Sequence, residues 1–385
     1  MSSPLRLGIA GLGTVGVGTV KIVQRQAALL TARTGREIVI SAVSARTKGL
    51  DRGVRLNDYA WEADPVALAK RNDVDVFVEL IGGDAGPAKD AVEAAIEAGK
   101  DVVTANKAML ALHGQALAEA AEAKGVSIRY EAAVAGGIPV VKALTEGLAG
   151  NEITRVMGVM NGTCNYILTR MQSAGMDYQT VFAECEKLGY LEADPTLDVG
   201  GIDAGHKLAI LAAIAFGTKV NYDALKIEGI ERITIEDIER AADMGYRIKL
   251  LGVAQNSGRG LEARMTPCLV PESSPLGQLE GPTNMVVLEG DSVAVVSESS
   301  DEPTAPMRHP RRVGGRPAAG LSAEDLESLL ETGDVSEITV DAAGRNVVTV
   351  TDGSVSIDAI FAERAGRGFY PDVAAYRLDR LLDLA

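Results

Sequence analysis

Gly11-Leu12-Gly13-Thr14-Val15-Gly16 leaves this chain few folds to choose from, because of what stands on either side of it. Leu5-Arg6-Leu7-Gly8-Ile9-Ala10, immediately before, is an apolar run of strand length, and a helical stretch from about Val15 to Leu30 follows. Each glycine then has its own physical use. The first makes a tight turn, the second lets a pyrophosphate approach the backbone, and the third allows close packing of helix on strand. The helix N-terminus adds unpaired N–H groups and the positive end of its dipole. Placement right behind a strand matters, since a chain with 42 glycines produces the bare spacing by chance. A glycine-rich packing turn without a ligand is the competing reading.

The alternation continues. Ile38 to Val43 is β-branched and strand-like, Val74 to Leu80 is a strand stopped by Gly82-Gly83, and Ala88 to Ala98 suits a helix capped by Gly99. Asp101 to Thr104 reads as strand, Gly114 to Ala123 as helix, and Val126 to Tyr130 as strand. Such a pattern predicts an α/β fold whose residues 1–150 form a Rossmann-type, doubly wound parallel sheet that binds a dinucleotide. The end of the second strand bears on which one. It runs Val43-Ser44-Ala45-Arg46-Thr47-Lys48, with no acid before Asp51. A carboxylate there would hold the ribose hydroxyls of NAD and repel a 2′-phosphate, whereas a guanidinium binds phosphate bidentately. NADP is therefore predicted over NAD, with Arg46 the main contact and Lys48 assisting. Solvated loop cations are the alternative.

Composition narrows the partners. A length of 385 residues suits two to three domains. Fifty-three acids against 38 bases give a net charge of −15, which argues against nucleic acid or an anionic membrane surface. The cysteines Cys164, Cys185 and Cys268 are too few and too scattered for a disulfide framework or a zinc cluster. The longest apolar run, Leu208 to Phe216, is well short of the roughly 18 residues of a membrane span. No signal-peptide pattern follows Met1-Ser2-Ser3-Pro4. A soluble, cytoplasmic enzyme or binding protein acting on a small molecule is expected.

After Gly150 the alternation lapses. Residues 151–296 read as an α+β unit: a strand from Ile153 to Met160, helices at Asp177–Leu188 and Ile202–Phe216, then strands at Arg247–Val253, Leu261–Val270 and Met285–Glu289 of a mostly antiparallel sheet. Asn161-Gly162-Thr163-Cys164-Asn165 is a polar turn entering a helix, with Thr163 the candidate N-cap. Asp203 and Lys207 lie four apart and share one helix face. That spacing describes an ordinary surface ion pair equally well. Leu208 to Ala213, however, is buried material, so Lys207 would stand half desolvated at its mouth, a setting that suits proton transfer.

Five segments stand in the order found in homoserine dehydrogenases: Gly11 to Gly16, Thr104-Ala105-Asn106-Lys107, Asn161 to Asn165, Gly189-Tyr190-Leu191-Glu192-Ala193-Asp194-Pro195, and Asp198-Val199-Gly200-Gly201-Ile202-Asp203-Ala204-Gly205-His206-Lys207. The chain resembles that family over residues 5–290. The resemblance implies NAD(P)-dependent interconversion of L-aspartate 4-semialdehyde and L-homoserine, in threonine and methionine synthesis, by a homodimer. It implies that Lys207 exchanges the proton at the reacting oxygen, that Glu192 binds the substrate, that Asp198 is a further substrate contact, and that Asp203 orients the polar cluster. Lys107 falls near nicotinamide and substrate. Glu131, Val134, Gly136 and Ile138 match the family's monovalent-cation loop, with sodium the expected ion. Cys164 and Trp61 read as packing residues, and His206 as a solvated helix residue.

The last part departs from that pattern. Ser297 to Pro306 replaces the family's glycine-rich segment, only Pro303-Thr304-Ala305 echoes the helix that follows, and no ACT domain is recognisable. Residues 297–319 are predicted as a proline- and arginine-rich linker. Residues 320–385 are predicted as a small α+β appendage: a helix from Ser322 to Leu330, a hairpin around Asp352-Gly353, and a helix from Asp372 to Leu384. This departure keeps a second reading open, a non-catalytic NADP-binding protein whose tail docks a partner.

Overall fold

A computed structural model of the protein describes residues 3–191, 194–257 and 260–300, and beyond residue 315 the backbone of a four-stranded sheet. The described chain divides into two compact units, the first ending at Val134 and the second beginning at Ala135.

The first unit holds strands β1 (Leu5–Ala10), β2 (Ile38–Ser44), β3 (Ala60–Glu62), β4 (Val76–Glu79), β5 (Asp101–Thr104) and β6 (Ile128–Arg129). They pair in the order β3-β2-β1-β4-β5-β6, and every pairing is parallel. The order reverses between β1 and β4, so the carboxyl ends of those strands flank the crevice where open α/β sheets bind ligands. Apolar spacing explains the layers. Ala88, Ala91, Val92, Ala95 and Ile96 form one buried face of the helix Pro87–Glu97, opposite the fully buried Phe77 of β4. The single helix expected from Val15 to Leu30 is two, Thr14–Arg25 and Ala27–Thr34, joined at Gln26, whose φ of −105° and ψ of 19° leave the helical range. The strand β3 and the helix Pro65–Lys70 lie where no element is predicted. Asp64 caps that helix by accepting from the Val66 amide, and Pro65 opens it.

The second unit begins earlier than the expected boundary at 150. Val140, Leu144 and Leu148 are buried, and the stretch Ala143–Gly147 packs on the helix Ile202–Phe216, so apolar burial assigns it to the second core. Its strands are β7 (Ile153–Val159), β8 (Lys226–Ile227), β9 (Tyr246–Ser257), β10 (Gly260–Pro271), β11 (Thr283–Gly290) and β12 (Ala294–Ser300). Their order is β12-β11-β7-β9-β10-β8, antiparallel except where β8 joins β10. The mostly antiparallel sheet is as predicted. Ser297 to Ser300, expected in a linker, instead complete β12, because they pair with Thr283 to Val286 of β11.

Strands β13 (Arg316–Pro317), β14 (Glu337–Val340), β15 (Asn346–Thr351) and β16 (Ser356–Phe361) form a third, antiparallel sheet. Thr351 pairs with Ser356, which is the hairpin predicted around Asp352-Gly353. The predicted helices at 322–330 and 372–384 lie outside the described residues. Among the described residues, no helix is long and apolar enough to cross a membrane.

Candidate active site

In the first unit the glycine turn separates internal from external demands. Gly11 adopts φ +96°, and a Cβ there would stand 2.2 Å from the Leu80 carbonyl oxygen. A Cβ on Gly16 would stand 1.9 Å from the carbonyl oxygen of Gly11. Both glycines are thus required by packing. Gly13 is different: a Cβ there meets nothing within 4 Å. Nothing among the described residues demands a glycine at 13, whereas a pyrophosphate resting on the backbone would. The helix Thr14–Arg25 starts on Gly13 without any side-chain cap, which leaves its first amides for a ligand. Thr14 and Val15 are exposed and Leu12 is buried beneath them. Arg46 and Lys48 are exposed just past the carboxyl end of β2.

A buried network shapes the far side of the switch point. Glu79, the last residue of β4, is fully buried, and its Oε1 accepts from the amides of Ile81 (2.7 Å) and Gly82 (3.0 Å). Its Oε2 accepts from Thr104 Oγ1 at 2.5 Å. Thr104 Oγ1 in turn accepts from the Asn106 amide at 3.0 Å, and Asn106 Nδ2 donates to the Gly83 carbonyl at 2.6 Å. Gly82 and Gly83, at φ +83° and +88°, allow the loop to fold back over this carboxylate. Asn106 also caps the helix Lys107–Lys124 by accepting from Met109, so Lys107, half-buried, opens that helix at the rim. Sequence reasoning placed Lys107 but missed Glu79. A carboxylate at the end of a buried apolar strand was its available signal.

In the second unit a largely buried polar cluster forms just past β7. Asn161, two residues past the end of that strand, donates from Nδ2 to Asp198 Oδ1 at 2.9 Å and to Asp203 Oδ2 at 3.3 Å. Lys207 Nζ lies 2.8 Å from Asp203 Oδ2 and donates to the Met160 carbonyl at 2.7 Å. Asp203 and Lys207 side chains are 5% and 16% exposed, so this is no surface ion pair. Among the described residues two of the ammonium's three N–H groups are engaged. The helix cap differs from expectation. Asn161 is the N-cap, accepting from the Cys164 amide at 2.8 Å, while Thr163 lies inside the helix and donates to the Tyr190 carbonyl at 2.9 Å. Asn161 can bond the amide three residues on, whereas Thr163 already has helical backbone. Its hydroxyl instead ties down the loop that leads to Glu192, which itself lies outside the described residues.

Cys164 is buried, and its thiol donates to the Asp198 carbonyl at 3.2 Å. Burial, reinforced by the charges of Asp198 and Asp203, holds its pKa well above the ordinary thiol value, which fits a packing residue rather than a nucleophile. His206, expected as a solvated helix residue, is half-buried and packs against Tyr222, with ring centroids 4.5 Å apart and planes tilted by 43°. Of the four residues expected to hold sodium, Glu131 and Val134 close the first unit while Gly136 and Ile138 open the second. The Gly136 carbonyl accepts from Ser299 Oγ at 3.2 Å and that of Ile138 from the Val140 amide at 2.8 Å, so each retains a lone pair for a cation.

Asn165, at the far end of the same motif, meets a buried lysine that sequence reasoning did not single out. Lys249 Nζ donates to Asn165 Oδ1 at 2.8 Å and to the Leu279 carbonyl. Burial pushes its pKa from the ordinary 10.5 down to about 8, with Arg247 adding to the shift and Glu280 opposing it. The folded value is depressed, so between about 8 and 10.5 the unfolded chain binds more protons and stability rises with pH. Lys249→Met removes that rise. The gap in unfolding free energy between wild type and variant should widen by on the order of 1–3 kcal/mol from neutral pH to the upper end of that window. Urea unfolding at the two pH values measures it, and a gap that does not move overturns the assignment.

A parallel sheet in the order 3-2-1-4-5-6, a glycine turn at its switch point, and a second unit with a largely buried lysine–carboxylate–amide cluster define a dinucleotide-binding α/β protein of the dehydrogenase class. Known proteins narrow this. A sequence model described as Homoserine dehydrogenase, NAD binding domain, matches residues 11–131, and one described as Homoserine dehydrogenase matches residues 139–305. The homoserine dehydrogenase of Neisseria gonorrhoeae is 47% identical over 290 residues, 75% of this chain and 66% of that protein. That of Mycobacterium bovis is 41% identical over 328 residues, 84% of this chain and 71% of that protein. The crystal structure of a homoserine dehydrogenase from Thiobacillus denitrificans superposes with a TM-score of 0.75 at 33% identity, covering 100% of this chain and 95% of that one. The chain belongs to the homoserine dehydrogenase family. It spans 66% of the length of the Neisseria gonorrhoeae relative and 66% of that from Pseudomonas aeruginosa.

Proposed function

We propose that the protein interconverts L-aspartate 4-semialdehyde and L-homoserine with a nicotinamide dinucleotide, NADP in preference to NAD. The observation that carries this reading is the Lys207 ammonium, fixed between Asp203 Oδ2 and the Met160 carbonyl at 2.8 and 2.7 Å. When bound, the nicotinamide supplies hydride to the aldehyde carbon or takes it from the alcohol carbon. Negative charge then develops on the substrate oxygen, and the Lys207 ammonium stabilises it and delivers the proton. Asp203 holds Lys207 in place and balances its charge, and Asn161 in turn holds Asp203 by donating to its carboxylate. The substrate is a zwitterion, so both signs are needed around it: Glu192 receives its ammonium group, Asp198 is a further contact, and Lys107 supplies positive charge near nicotinamide and substrate. Gly11 to Gly16 take the pyrophosphate, with Gly13 as the close approach. Sodium, on oxygens of Glu131, Val134, Gly136 and Ile138, is the cation the family resemblance implies, and a homodimer its expected assembly.

The direct test is NADP reduction with L-homoserine at alkaline pH, beside an NADPH-binding titration. Turnover is expected. Binding without turnover selects the non-catalytic alternative, against which family membership weighs. Arg46→Ala tests the cofactor assignment. It should lower the NADP-to-NAD ratio of kcat/KM by about tenfold or more, the worth of one charge-assisted bidentate contact. An unchanged ratio removes Arg46 from the 2′-phosphate site.

A further inference from the structure

Arg52 joins three parts of the first unit that the sequence keeps apart. Its Nε donates to the Leu12 carbonyl in the glycine turn at 3.2 Å. One terminal nitrogen donates to the Leu50 carbonyl at 3.0 Å and the other to the Thr47 carbonyl at 2.7 Å. The guanidinium also lies over the Trp61 ring, 5.7 Å from its centroid. Trp61 is itself fixed in the sheet, opposite Val43 of β2. Among the described residues no carboxylate pairs with Arg52, so carbonyls and a ring hold it.

The two loop carbonyls that Arg52 bonds, Thr47 and Leu50, bracket Lys48 and follow Arg46. Both of those cationic side chains are exposed. A loop whose carbonyls are bonded to a half-buried guanidinium no longer presents those oxygens to an approaching anion. Its cations are then free to do so. The planar fork of Arg52 fixes direction as well as distance, which the single ammonium of a lysine does not.

We propose that Arg52 is a positioning residue that ties the loop after β2 to the glycine turn and thereby sets the preference for a 2′-phosphorylated dinucleotide. This rests on the NADP reading above. The turn that would hold the pyrophosphate and the loop that would meet the adenosine ribose are spaced by one side chain. Arg46 supplies the contact to phosphate, and Arg52 supplies the place from which it is made.

Arg52→Lys keeps the charge and removes the fork, and Arg52→Met removes both while keeping an apolar stem on Trp61. Amide hydrogen exchange in the cofactor-free protein should speed up about tenfold in peptides covering residues 46–50 in both variants, with β4 and β5 unchanged. The Kd for NADPH should rise about tenfold in both, with that for NADH within about twofold. Wild-type exchange in Arg52→Lys overturns the brace. Equal losses for NADPH and NADH overturn its role in preference and leave only support of the turn. A wild type that binds NADPH no tighter than NADH sinks the NADP reading, and with it the preference; the exchange measurement then still decides whether Arg52 is the tie.

Discussion

Replacing Lys207 with alanine should lower kcat for homoserine oxidation by about 10²–10⁴-fold, the usual worth of a positioned proton-transfer group. NADPH affinity should stay within about twofold, because no residue of the glycine turn is touched. The substitution also takes from Asp203, 5% exposed, the ammonium that balances its charge. Some loss of stability is therefore expected, up to about 3–5 kcal/mol for a broken buried pair. Asp203→Asn with Lys207→Ala removes that charge. The double variant should recover thermal stability without recovering turnover. Near-normal turnover in either protein removes Lys207 from the chemistry.

The second large effect separates two glycines that look alike in sequence. Gly13→Ala should fold as well as wild type, since φ −78° suits alanine and its Cβ meets nothing within 4 Å. Reduced unfolded-state freedom, worth about 0.4–1 kcal/mol, offsets the poorer N-cap that alanine makes. Dinucleotide affinity should nevertheless fall by about tenfold or more, because the methyl group occupies the approach of the pyrophosphate. Gly16→Ala should show the opposite order. Its Cβ would lie 1.9 Å from the Gly11 carbonyl oxygen, so strand and helix must separate, at a cost of about 1–3 kcal/mol or more. Thermal melts beside NADPH titrations check both. A Gly13→Ala protein that binds NADPH normally would falsify the pyrophosphate assignment.

The fold was readable where local pattern and tertiary role coincide. β1, β2 and β4 are apolar runs of strand length because parallel strands are buried on both faces, and that burial is written directly in composition. Strand β3 and its following helix were not readable in the same way. Ala60–Glu62 is three residues long, and its strand character comes from the edge of β2 rather than from its own propensity. The helix Val15 to Leu30 was read as one because propensity does not report a break at Gln26. The unit boundary was placed late for a related reason: Val140, Leu144 and Leu148 are apolar wherever they go, and only packing assigns them to the second core.

Residue types and their order along the chain were enough to identify a dinucleotide turn, a candidate proton-transferring lysine with its carboxylate, and the family to which both belong. Which donor meets which acceptor was decided only by the tertiary structure. Asn161 rather than Thr163 caps the helix and joins Asp198 to Asp203, Glu79 ties together Ile81, Gly82 and Thr104, and Arg52 gathers Leu12, Thr47 and Leu50. Spacing along a helix or strand reports which side chains share a face. It carries no information about carbonyls and carboxylates brought together from distant segments, because those meet only when burial of the apolar layers brings the segments together and leaves each polar group to find a partner.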